Sequence, residues 1–151
     1  MAHTVCWLQK FQNYKPDIIL HLRPTYPNRS SKLIDECLTK FIQKRNKYDS
    51  LRSVSPCKKS PYKMYFIKNT QNILQNVIPN NGNDLCNQST QSLPKTYIHN
   101  GCIDILNTDI LFTQKSVSGK NILPFIMNEC HDIDTMEDWQ KSECLNNQMN
   151  G

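Results

Sequence analysis

Glycine and alanine are scarce in this sequence, with four glycines and a single alanine among 151 residues. No glycine-rich loop of the kind that cradles phosphates occurs, because such a loop needs several backbone positions free of side chains. Long apolar stretches are absent too. The runs, such as Ile18-Ile19-Leu20, stop after three or four residues, whereas a membrane-spanning helix needs about 20. No CxxC or CxxH pair links the seven cysteines at 6, 37, 57, 86, 102, 130 and 144. Their odd number and irregular spacing argue against a zinc site or a disulfide framework. With no signal peptide, a reducing cytoplasm is the expected location. There is no internal repeat. Lys44-Arg45 and Lys58-Lys59 are short pairs without an aromatic ladder, so neither nucleic acid nor membrane is an expected partner.

What is present suits one modest α/β domain. The net charge of +5 fits an anionic ligand such as a nucleotide, and equally a mildly basic soluble protein. Val5–Tyr14 reads as a helix whose Trp7, Phe11 and Tyr14 form an aromatic stripe directed at the core, ended by Pro16. Asp17–Leu22 reads as a short buried strand. Two prolines keep the Arg23–Ser31 stretch out of helix and sheet. A helix then runs from about Lys32 to Asn46, with Leu33, Ile34, Cys37, Leu38, Phe41 and Ile42 on one face. Asp35 and Glu36 near its start and Lys44, Arg45 and Lys47 near its end complement its dipole. Ser50–Val54 reads as a second strand. Strand, helix, strand is a βαβ unit, so these strands should be parallel, with ligands at their carboxyl ends.

Further strands are expected at Tyr62–Ile67, Tyr97–Leu106 and Asn121–Ile126, and a short helix at Asn107–Phe112. Thr70–Ser92 is rich in Asn and Gln and reads as a solvated excursion that contacts a partner subunit. Thr135 should cap a helix from Met136 to about Leu145, with Asp138 three residues on. Residues 146–151 read as a frayed tail. Cys37 and Cys102 read as small core residues.

Several residues have the chemistry of a site. The Arg23-to-Arg29 loop offers two guanidiniums and the Thr25 hydroxyl. Arginine's planar fork suits phosphate and carboxylate, though a surface turn would look the same. Asp132-Ile133-Asp134 places two carboxylates ahead of a helix, a pair that can hold Mg²⁺ beside phosphate; helix-capping acids are the alternative. Lys63 is either a phosphate or carboxylate partner or an exposed lysine. Tyr97, Asn100 and Gly101 either line a sugar pocket or lie on an edge strand; Gly101 within a strand marks a close approach. His99 and His131 lack an orienting partner in the sequence.

In order, His21-Leu-Arg-Pro-Thr-Tyr-Pro-Asn-Arg29, Ser60-Pro-Tyr-Lys63, Leu93-Pro-Lys-Thr-Tyr97, Asn100-Gly101 and Asp132-Ile-Asp-Thr-Met-Glu-Asp-Trp139 resemble the acylneuraminate cytidylyltransferase family. The resemblance extends from about Lys15 to Gln140. It implies a three-layer α/β/α Rossmann-like nucleotide-diphosphosugar-transferase fold with a mostly parallel sheet. It also implies transfer of CMP from CTP to a nine-carbon sugar acid, with Mg²⁺ as cofactor. By the same resemblance Asp132 and Asp134 are metal carboxylates, and Arg23, Arg29 and Lys63 are catalytic. Thr25, Tyr97, Asn100 and Gly101 are substrate-binding. The chain departs from the pattern at Tyr26, Asn28 and Thr90, where the family has Ser, Leu or Val, and Arg. It also lacks the opening strand and Gly- and Lys-containing loop. The expectation is therefore a single truncated domain over residues 1–145, with an excursion at about 68–96. It should act as a homodimer or with a separate amino-terminal half, and have little activity alone.

Overall fold

The structure is a computed structural model that describes residues 1–68, 72–79, 82, 84–128 and 132–149, with side chains to residue 144. His131 and Cys130 lie outside the described residues. In chain order the elements are α1 (Ala2–Gln12), β1 (Ile18–His21), α2 (Ser31–Lys44), β2 (Ser50–Pro56), β3 (Tyr65–Lys68), β4 (Ile73–Asn76), β5 (Tyr97–Asn107), α3 (Ile110–Thr113), β6 (Ile122–Ile126) and α4 (Met136–Met149). They fall into two compact units. The first comprises residues 1–55 and 99–151, and the second comprises residues 56–98.

The first unit is built on a four-stranded sheet in the order β1-β5-β2-β6. β1 pairs antiparallel with β5, His21 opposite Asp104, and β2 pairs parallel with β6, Arg52 opposite Pro124. Between β5 and β2, Asn107 N–H donates to Asp49 O and Ile103 N–H donates to Ser53 Oγ. One position rises as the other falls, so this pair is antiparallel as well. β1, β2 and β6 thus point one way, as the βαβ reading requires, but β1 and β2 are not neighbours. β5 runs between them in the opposite sense. The sheet is mixed, not mostly parallel as the resemblance implied. β5, which follows the second unit in sequence, pairs with both β1 and β2 and so separates them, a placement that short-range pattern does not encode.

Alternation along the strands sorts the core into two clusters. Ile103 and Ile105 of β5, Leu51 of β2 and Leu123 of β6 pack with Cys37 and Phe41 of α2 on one face. Leu106 packs with Val5 of α1 and Ile110 and Leu111 of α3 on the other. Ser30 caps α2 by accepting from Leu33 N–H at 3.2 Å. The helix starts at Ser31, so Asp35 and Glu36 fall in its second turn. Burial pushes the Cys37 thiol up to about 11, so it is an inert core residue.

α1 departs from expectation. It ends at Asn13, which adopts a left-handed conformation while Leu8 O accepts from Asn13 and Tyr14 N–H; asparagine tolerates that geometry. Only Val5 is buried, whereas Trp7, Phe11 and Tyr14 are 45, 63 and 55% exposed. Trp7 lies two residues from Val5, which places it about 200° around the helix. The stripe therefore faces away from the cluster that Val5 enters.

The second unit holds a β3–β4 hairpin, Tyr65 opposite Asn76, and two single 3-10 turns at Pro61–Lys63 and Leu85–Asn87. The first turn takes the start of the strand expected from Tyr62, because proline at its first position fixes a helical φ. Part of the expected solvated excursion is ordered as β4.

Asp49 organises the entry to β6. Its Oδ2 accepts from Lys120 N–H at 2.8 Å and Asn121 N–H at 2.9 Å. Gly119 makes this possible: its φ is +69°, and a Cβ there would collide with the Asp49 side chain. Gly119→Ala is expected to lower stability by about 1–3 kcal/mol. The measurement is the urea midpoint at constant slope; an unchanged midpoint contradicts this account of the turn.

Candidate functional site

The loop between β1 and α2 is fixed at both ends by its own side chains. Arg29 donates from Nη1 to Cys102 O at 3.1 Å and from Nη2 to Arg23 O at 2.8 Å. Its guanidinium also lies over the Tyr26 ring, 5.7 Å from the centroid, and Tyr26 is buried in the core. Arg29 thus staples the loop to β5 through Cys102 O and closes the loop on itself through Arg23 O. Asn28 Nδ2 donates to the buried Ser142 of α4 at 2.9 Å. Thr25 O accepts from Ile133 N–H at 2.9 Å, which joins the loop to the Asp132–Asp134 segment.

β5 is bulged where it meets the loop. Gly101 has φ +71°, and a Cβ on it would lie 3.2 Å from Arg23 Nη1. The bulge removes a ladder partner, and the side chain of Asn100 replaces it. Asn100 Oδ1 accepts from Ser53 Oγ at 2.6 Å and Cys102 N–H at 3.2 Å, while Nδ2 donates to Ser55 Oγ at 2.9 Å. The Asn100 carboxamide is committed inward. Its contribution to a site is the shape of the bulge that lets Arg23 lie against the strand.

Alternation puts Leu51 and Ser53 on the α2 face of the sheet and Arg52 on the other, beside Asp104. The Asp104 side chain is 8% exposed. Arg52 Nε donates to its Oδ1 at 2.9 Å, Arg23 Nη2 is 3.8 Å from its Oδ2, and His99 Nε2 is 3.3 Å from its Oδ1 without hydrogen-bond geometry. Burial holds the His99 pKa below the ordinary imidazole value. Asp104 opposes that shift, and the charges of Arg52 and Arg23 add to it. Asp104 and Arg52 are not apparent from sequence motifs. Their signal is a lone carboxylate inside Cys102-Ile-Asp-Ile-Leu106 and a lone arginine inside Ser50–Val54, each in a run that must be buried on one face.

The acidic segment caps α4. Thr135 N–H and Oγ1 donate to Asp138 Oδ2 at 3.0 and 2.7 Å, and Asp138 N–H donates to Thr135 Oγ1 at 3.2 Å. Capping thus falls to Thr135 and Asp138, leaving Asp132 and Asp134 outside it. Asp134 is exposed. Asp132 Oδ1 is buried and has no hydrogen-bond partner among the described residues. Among the described residues no group of three or more His, Cys, Asp or Glu side chains forms a metal cluster.

Arg23, Thr25, Arg29, Asn100, Gly101, Asp132 and Asp134 therefore share the first unit, while Lys63 and Tyr97 belong to the second. There Lys63 is exposed. Tyr97 lines a cleft of about 410 Å³ with Ser60, Thr90, Leu93 and Lys95, and Ser60 Oγ is buried in it without a partner among the described residues. Among the described residues no helix is long and apolar enough to cross a membrane.

No protein-family model matches the chain. It is similar to a post-translational flagellin modification protein B of Campylobacter coli, with 31% identity over 131 residues covering 85% of this chain and 52% of that protein. The chain is a distant homologue that spans about half the length of this curated relative.

The His99 shift has a pH consequence. Its pKa is lowered on folding from 6.5, so the unfolded chain takes up the proton first as pH falls. Stability is unaffected by this group above that value, declines as pH falls through it, and levels off below the folded pKa. Two-dimensional NMR of the imidazole should give a midpoint below 6.5, and His99→Gln should remove that part of the pH dependence. A midpoint at or above the ordinary value contradicts the burial argument.

Proposed function

We propose that this chain is the sugar-binding, metal-holding part of a cytidylyltransferase. The reaction transfers CMP from CTP to a nine-carbon, sialic acid-like sugar acid and releases pyrophosphate. The observation that supports it most is the linkage, within one unit, of three of the motifs that carry the family resemblance. Thr25 joins the arginine loop to the Asp132–Asp134 segment, and Arg29 joins the loop to the bulge at Gly101. The relative's name, a flagellin modification protein, accords with an enzyme that activates an acidic sugar for attachment to protein. In this reading the mixed sheet belongs to a three-layer α/β/α nucleotidyltransferase fold.

The anomeric hydroxyl of the sugar attacks the α-phosphate of CTP, and the bond to pyrophosphate breaks. Such transfer depends on positioning and positive charge more than on covalent catalysis. Asp132 and Asp134 would hold Mg²⁺, which takes one or two protein carboxylates and retains waters. The donor set fits: both are hard oxygen ligands, and the buried Asp132 Oδ1 lacks a partner among the described residues, a costly state that a cation relieves. When bound, the ion neutralises charge on the phosphates. Arg23 faces the sugar acid. Arg29 keeps the loop in register with β5. Thr25 is a further contact to substrate, and the Gly101 bulge shapes the pocket. The phosphate cradle comes from another segment, either on a separate chain or on the protein's own amino-terminal half, in an assembly that is a homodimer in the family pattern.

The exposed Trp7, Phe11 and Tyr14 stripe favours a second reading, a non-catalytic sugar-acid-binding or dimerisation module derived from the same family.

The test follows CMP-sugar and pyrophosphate formation from CTP, Mg²⁺ and a panel of sugar acids, with the chain alone and with a polypeptide carrying the cradle. The chain alone should show little turnover, and the assembly should turn over. Asp134→Ala should then reduce the rate by about 10²–10³-fold. A wild-type rate in that variant sinks the metal assignment, and sugar-acid binding without turnover in any assembly supports the second reading.

A further inference from the structure

The cluster around Asp104 holds more positive charge than its structural role requires. A carboxylate on a sheet face needs one good partner, and Arg52 provides it through Nε at 2.9 Å. Arg23 approaches the other oxygen only to 3.8 Å, too long for a hydrogen bond. The terminal nitrogens of Arg52 form no hydrogen bond among the described residues. The Arg52 and Arg23 side chains are 24 and 40% exposed around a carboxylate that is 8% exposed. Two guanidiniums against one carboxylate leave a net positive charge whose donors reach solvent. Asp104 lies on the sheet face opposite His21, the last residue of β1, and Arg23 follows the carboxyl end of that strand, beside the bulge that Gly101 opens for it. Ligands of open α/β sheets gather at such ends.

We propose that Arg52 and Arg23, oriented by Asp104, form a carboxylate-binding subsite that takes the acid group of the sugar. This rests on the sugar-acid reading above and adds Arg52 as a substrate contact and Asp104 as a positioning residue. A guanidinium fixed through Nε keeps its two terminal amino groups in one plane, the arrangement that matches the two oxygens of a carboxylate. Asp104 therefore sets the plane of Arg52 while leaving its fork free. His99, whose pKa burial lowers, flanks the same carboxylate with Nε2 3.3 Å from Asp104 Oδ1.

The experiment titrates the full chain with N-acetylneuraminate, its methyl ester, glycolate and inorganic phosphate, reading the Arg Nε–Hε signals by NMR. N-acetylneuraminate should shift the Arg52 signal, and the methyl ester should bind about ten- to a hundredfold more weakly. Arg52→Gln should lose the same factor towards the acid and nothing towards the ester. Arg52→Lys should recover only part of the loss, which separates fork geometry from charge. The thermal midpoint confirms that each variant folds. Equal binding of acid by wild type and Arg52→Gln overturns the subsite while leaving the sugar-acid reading intact. Glycolate shifting Arg52 without any binding of N-acetylneuraminate supports the subsite and counts against that reading. A response to phosphate but to neither acid overturns the carboxylate assignment, and no response to any of the four overturns both.

Discussion

A carboxylate on the face of a sheet, with its side chain 8% exposed, is unstable unless cations and strand register meet it together. Asp104 satisfies that requirement only because β5 runs antiparallel between β1 and β2. The register that sets it opposite His21 on β1 also sets it beside Arg52 on β2, within 2.9 Å of its Nε. A slip of one residue would turn Asp104 into the cluster that holds Phe41 and Leu51. The same strand is bulged at Gly101, and the bulge is held by Asn100 through Ser53 and Ser55. Removing the charge cluster would thus release one of the constraints that place the loop, the bulge and the sheet face together.

The elements that sequence revealed best were those set by local pattern. α2 has an unbroken apolar face and a serine cap, so the neighbouring side chains decide it. Thr135 and Asp138 form a reciprocal cap that any reading of α4 would find. The position of β5 was not legible, because its insertion between β1 and β2 depends on where a distant segment enters the sheet, which local pattern does not encode. The aromatic stripe of α1 misled for a different reason. Periodicity shows that Trp7, Phe11 and Tyr14 share a side, but not whether anything covers it. The single buried residue of the helix, Val5, is set by the small cluster that α3 and Leu106 provide.

The candidate site shows the same division. The arginine loop and the acidic segment were visible as motifs, yet the motifs did not distinguish the two arginines. Arg29 binds backbone carbonyls and holds the loop, while Arg23 remains beside the bulge with its charge directed at Asp104. Asn100 bonds inward, so its effect on a ligand passes through the backbone of Gly101. Tyr26, where the resembled family has serine, is a core residue stacked beneath Arg29. Arg52 and Asp104 escaped notice because each is a lone charge in an apolar run, and only the register shows that they meet.

In the proposed function the loop after β1, the bulge of β5 and the Asp132–Asp134 segment form one pocket for an acidic sugar and a divalent cation. Paramagnetic broadening of backbone amide signals by Mn²⁺, recorded with the sugar acid present, tests that most directly. Broadening centred on Asp132 to Thr135 and extending to Thr25 and Tyr26, weakened in Asp134→Ala, is the predicted result. Broadening centred on Asp84 or Glu137 and unchanged in that variant would contradict it.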